Sequence, residues 1–99
     1  HTMAITVHVD TKRRTMVVPE LGIQDKGSSL RSAQAVEEVA YGLLREAAQE
    51  QGLVAAGVIP DVETISVEDF PVVDGWQSME RIITVKVQLK AGVSGYVES

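Results

Sequence analysis

The stretch VVPELGIQDKGSSLRSA, Val17 to Ala33, starts in the pattern of a strand and ends in that of a helix. Pro19, Gly22 and Gly27 punctuate it. Proline fixes φ and has no N–H to donate, which places Pro19 at a strand end or on an edge. Gly22 permits a bend, and the GIQDK that follows reads as a third short strand. Gly27 and the serines after it signal a helix start, with Ser28 or Ser29 as the expected N-cap. One short segment therefore closes a sheet edge and turns the chain into a covering helix.

Upstream, ITVHVD alternates strictly: Ile5, Val7 and Val9 on one side, Thr6, His8 and Asp10 on the other. That is the mark of a half-buried strand. The polar turn DTKRR joins it to TMVVPE, so the opening is a β-hairpin. Downstream, apolar residues from Leu30 recur at Ala33, Val36, Ala40, Leu43 and Ala47, with Val39 and Leu44 widening the stripe. Steps of three and four predict a helix from about Leu30 to Gln51 that packs its Val36–Ala40–Leu43 face on the sheet. Glu37, Glu38, Arg45, Glu46 and Glu50 take the wet side. Gly42 interrupts the helix either to admit a neighbour or as a tolerated defect, and Gly52 suits the C′ position.

The connection LVAAGVIPDV reads as a further helical turn or as an extended linker. Two strands follow, VETISVEDF and RIITVKVQL, joined by a segment that carries the Asp74-Gly75 turn signal and Trp76. The expected fold is α+β and two-layered: an antiparallel sheet of four to five strands, ordered β-β-(β)-α-β-β, with one main helix packed across it. Residues 1–3 read as an appended start, 4–91 as a single domain and 92–99 as a partly frayed tail.

Composition narrows the function. The chain has 99 residues, 44% hydrophobic and 23% charged, in the range of folded chains. Aromatics make up 4%, so the core is aliphatic. Without cysteine there is no disulfide or thiolate metal site, which fits a cytoplasmic location. No apolar run is long enough for a membrane span, and no signal-peptide pattern is visible. Fourteen acidic residues face nine basic ones, for a net charge of −5. That balance argues against a protein that grips phosphate backbones and suits solubility or a basic protein partner.

Catalytic chemistry finds little footing. His8 stands on the polar face of a strand with no second histidine for zinc and no local triad. Asp10, Asp61, Asp69 and Asp74 read as turn and strand-end aspartates rather than as a cation site. The KGSS segment lacks P-loop spacing and reads as a cap. Neither an enzyme nor a cofactor is expected. The one basic cluster is Lys12, Arg13 and Arg14, read either as a solvated hairpin tip or as a partner-binding contact for an acidic protein or nucleic acid; no aromatic residues interleave with it to stack bases. Trp76 and Ile82, the latter on the otherwise polar face of the last strand, are the expected anchors of a symmetric homodimer built around the C-terminal strands.

Val18-Pro19-Glu20-Leu21-Gly22 and Gly27-Ser28-Ser29-Leu30-Arg31-Ser32-Ala33 together resemble the HicB-like antitoxin family, over roughly the first half of the chain. The resemblance implies an incomplete ribonuclease-H-like sheet without catalytic carboxylates. It also implies a partner that is a small mRNA-cutting toxin. The chain departs from the family pattern where Leu21 runs directly into Gly22, and where Arg31 and Ser32 stand in place of acidic residues. Nothing after Gly52 reads as a helix-turn-helix or ribbon-helix-helix segment, so operator binding is not among the expectations. The functional expectation is a non-catalytic protein-binding module of this type. The alternative is a small homo-oligomeric structural or assembly protein.

Overall fold

A computed structural model describes residues 3–72, 79–90 and 95–97. Strands β1 (Ala4–Asp10) and β2 (Thr15–Val18) form the opening hairpin, with His8 opposite Val17 and Asp10 opposite Thr15. A 3-10 turn, Pro19–Leu21, ends β2. Gly22 closes that turn at φ +66°, a left-handed conformation that a side chain disfavours, and its N–H donates to the Pro19 carbonyl. Strand β3 (Ile23–Lys26) then folds back on β2. The VPELG segment is thus a compact corner between two antiparallel neighbours.

Helix α1 runs from Ala33 to Glu50. It starts later than the serines at 28 and 29 suggest. Ser32 is the N-cap, its Oγ accepting the Ala35 N–H at 3.1 Å. Ser28, buried, instead accepts from the Leu30 N–H in a local turn. Residues 28–31 are used in reaching from β3 to the helix, and Arg31 donates back to the Thr11 carbonyl on the way. At the other end, Gly52 N–H bonds Gln49 O and Leu53 N–H bonds Ala48 O. This pair of bonds closes the helix as a Schellman motif.

The buried helical residues are Val36, Ala40, Leu44, Ala47 and Ala48. The stripe therefore passes through Leu44 rather than Leu43, which is only half-buried. Its alanines let the helix axis lie close to the sheet. Among the described residues nothing stands within 4 Å of where a Cβ on Gly42 would project, so no close approach among them explains that glycine.

After α1 come β4 (Val58–Pro60), β5 (Val62–Pro71), β6 (Arg81–Leu89) and β7 (Gly95–Val97). The main sheet is antiparallel in the order β3-β2-β1-β6-β5, and β4 pairs with β7 in a separate ribbon. Strand β7 falls within residues 92–99, which read as a tail; three-residue strands carry too little alternation to be seen. Gly95 runs so close to β4 that a Cβ there would meet the Ile59 carbonyl oxygen at 2.5 Å.

The core lies between α1 and one sheet face. Ile5, Val7, Val9, Met16 and Val18 meet Ile83, Val85 and Val87, with Val36, Ala40 and Leu44 above. Thr11 is 2% exposed at the hairpin tip. Its Oγ1 accepts the Arg81 N–H at 2.6 Å and donates to Glu80 Oε2, and its own N–H donates to the Arg81 carbonyl. The tip is thereby locked to the start of β6.

Four helical residues form a second, polar stripe, at 37, 41, 45 and 49, and two of them, Glu37 and Arg45, are residues expected on the wet side. The Thr64 hydroxyl donates to Glu37 Oε2 at 2.6 Å, since a carboxylate only accepts. That leaves the Tyr41 hydroxyl to donate to Thr64 Oγ1 at 2.5 Å. Arg45 Nε donates to the Pro60 carbonyl and Gln49 Nε2 to the Val58 carbonyl. Arg45 also lies over the Tyr41 ring, 5.8 Å from its centre. This polar seam ties α1 to β4 and the start of β5.

Candidate interaction surface

The sheet face opposite α1 carries exposed residues on three strands: His8, Ile82, Lys86 and Phe70. Directly opposed residues on antiparallel strands share a face, so the register sorts them into rows. One row runs Phe70, Ile82, Asp10, Thr15, Lys26. The next runs Glu68, Thr84, His8, Val17, Gln24. His8 is exposed there, its Nδ1 3.4 Å from the Thr84 hydroxyl. Phe70 and Ile82, opposite each other, are 59% and 39% exposed.

The two edges of this sheet differ. Strand β3 is four residues long and polar after Ile23. Short, charged edges of this kind discourage further pairing. Strand β5 is ten residues long, and among the described residues nothing pairs with its outer side. Its ladder with β6 slips between Thr64 and Ser66, leaving Ile65 as the extra residue of a bulge. Beyond the bulge, Val67 lies opposite Val85 and so faces the helix side, while Phe70 faces the other side. Helix α1 reaches β5 through Thr64, and Val67 is left 46% exposed, as is Ile65.

The basic cluster occupies the β1–β2 tip, as its sequence implies. Lys12, Arg13 and Arg14 are exposed. The Asp10 carboxylate accepts the backbone N–H groups of Lys12 and Arg13, and its Oδ2 lies 3.8 Å from Arg13 Nε. Because Asp10 is opposite Ile82, the structure brings this tip and Ile82 to the same end of the sheet. Ile82 itself sits on β6, one strand in from the edge. Trp76 and the Asp74-Gly75 turn lie outside the described residues.

Asp10 serves the tip, and Asp69 is paired with Arg81. Among the described residues, no three histidine, aspartate or glutamate side chains are grouped to hold a metal ion. A groove of about 360 Å³ opens between the VPELG corner and α1, floored by Leu21, Ile23 and Leu43 and rimmed by Glu20, Glu46 and Glu50. Among the described residues, no helix is long and apolar enough to cross a membrane.

Phe70 and the exposed edge of β5 escape a reading by alternation because of the bulge. Apolar residues at 62, 65, 67 and 70 fit neither a period of two nor one of 3.6. The irregular spacing is itself the signal that a residue has been inserted into the ladder. Compared with known proteins, the chain matches no family model, no curated protein and no solved structure.

Proposed function

We propose that this chain is a non-catalytic protein-binding module that receives an extended protein segment along the outer edge of β5. The observation that carries the reading is the placement of exposed apolar groups on both faces of one edge strand: Val67 on the helix side, Phe70 on the other side. A ligand lying on either face covers one and leaves the other. An added strand covers both and satisfies the outer backbone groups of β5.

The resemblance of the VPELG and GSSLRSA segments to HicB-like antitoxins implies a small basic toxin as the hetero-partner, and the net charge of −5 agrees with a basic one. The test is affinity purification from the native host, followed by calorimetry of the purified partner with the wild type and with Val67→Glu/Phe70→Glu. Loss of binding in a variant that keeps its circular dichroism spectrum is expected. Unchanged affinity sinks the edge as the docking site.

A further inference from the structure

Resting on the reading of β5 as a docking strand, we infer that one segment it accepts is β5 of a second copy, paired about a two-fold axis through Val67. A two-fold axis normal to an antiparallel pair sets one residue against its own counterpart. The registers near the middle of β5 then differ sharply in charge, when the bulge is carried across as it is against β6. An axis at Ser66 sets Glu63 against Glu68 of the second copy. An axis at Glu68 or at Asp69 sets a carboxylate against itself. An axis at Val67 sets Val67 on Val67, Ser66 against Glu68, Thr64 against Asp69, Glu63 against Phe70 and Val62 against Pro71. No like charges are then opposed, every pair shares a face, and the strand is paired from end to end.

That register also completes an ion pair. Lys86 lies opposite Ser66 on the face away from α1, and Glu68 lies opposite Thr84 on the same face. Both are exposed, and neither has an ion-pair partner within 4 Å among the described residues. In the Val67 register the cross-strand row reads Lys86, Ser66, then Glu68 of the second copy. Two strand spacings, about 10 Å, separate the two backbones. The small Ser66 leaves the way clear for the lysine stem, and symmetry makes the pair twice. Val67 is 46% exposed on the helix side, and a two-fold axis normal to the sheet puts both helices on one face of a continuous ten-stranded sheet.

The experiment is sedimentation equilibrium of the wild type, Val67→Glu, Glu68→Lys, Lys86→Glu and the double reversal Glu68→Lys/Lys86→Glu. Circular dichroism checks that each folds, as exposed positions should. The wild type is expected at twice the 10.7 kDa monomer mass. Val67→Glu should abolish the dimer. Each single reversal should weaken it by roughly tenfold, since every lost pair counts twice, and the double reversal should restore it. A monomeric wild type at high concentration, a dimer unmoved by Val67→Glu, or a double reversal no better than the singles overturns the proposal. Calorimetry with the hetero-partner separates the two readings. If Val67→Glu still abolishes that binding while the wild type is monomeric, the edge remains a docking strand and only the second copy is lost.

Discussion

Leu43 and Leu44 are adjacent, chemically identical and set in the same helix, yet the structure assigns them opposite roles. Leu44 is fully buried in the core, while Leu43 floors the outer groove beside Leu21 and Ile23. Truncating each to alanine changes helix propensity equally, so the difference between the two variants isolates burial. Leu44→Ala loses the transfer energy of the removed carbons and leaves a cavity under α1, about 3 kcal/mol within the usual range of roughly 2–5. Unfolding entropy of about 2.1 cal/mol/K per residue means that each kcal/mol moves Tm of a chain this size by about 5 °C. Leu44→Ala should therefore melt about 15 °C below the wild type. Leu43→Ala should lose about 1 kcal/mol, or about 5 °C, because its site opens to solvent and collapses freely. Thermal melts at 222 nm, with urea titrations to confirm that the m-value is unchanged, measure both. Equal losses, or a larger loss for Leu43→Ala, would refute the helix orientation.

Thr11→Val keeps the shape of the side chain but leaves the Arg81 N–H without its acceptor, so a loss of about 1–3 kcal/mol is expected in urea unfolding, with Thr11→Ser close to the wild type. If Thr11→Val is neutral, the tip is not locked by that hydroxyl. Gly42→Ala, at an exposed helical site where no described residue stands within 4 Å of the new Cβ, should raise stability by about 0.5–1 kcal/mol; a drop would mean the glycine accommodates something the described residues do not include. Duplex DNA or RNA should show no salt-sensitive mobility shift at micromolar protein. A shift that vanishes in Lys12→Ala/Arg13→Ala/Arg14→Ala would make the hairpin tip a phosphate-binding site.

Legibility in the sequence followed the length and regularity of each pattern. RIITVKVQL alternates with one departure, Ile82 on the polar face, and is β6 from Arg81 to Leu89. The body of α1 was equally plain, but its start was not, because Ser28, Ser29 and Ser32 are all competent caps. The choice among them depends on how far the chain must travel from β3, which is a tertiary fact. The polar seam at 37, 41, 45 and 49 was hidden for a similar reason: its partners are backbone carbonyls of β4 and the Thr64 hydroxyl, which hydropathy does not register. On the candidate surface, the exposure of Ile82 and the basic tip could be read from local pattern. Phe70 could not, since the bulge changes which side each later residue of β5 faces.

The pairing of β1 with β6 sets Ala4 opposite Gln88, nearly the whole chain apart. The central seam of the sheet is therefore its most non-local one. During synthesis β1, β2 and β3 can zip together as soon as they emerge, but the inner flank of β1 stays unsatisfied until the last long strand leaves the ribosome. At about 5–20 residues per second, that wait lasts several seconds. In that interval the nascent chain exposes Ile5, Val7 and Val9 beside an open strand edge, the features that recruit chaperones or stray strands. A ribosome-bound chain halted before residue 81 should be open to protease at β1, and one released after residue 89 should not. High contact order places refolding of the intact chain on the millisecond-to-second scale in stopped flow rather than in microseconds.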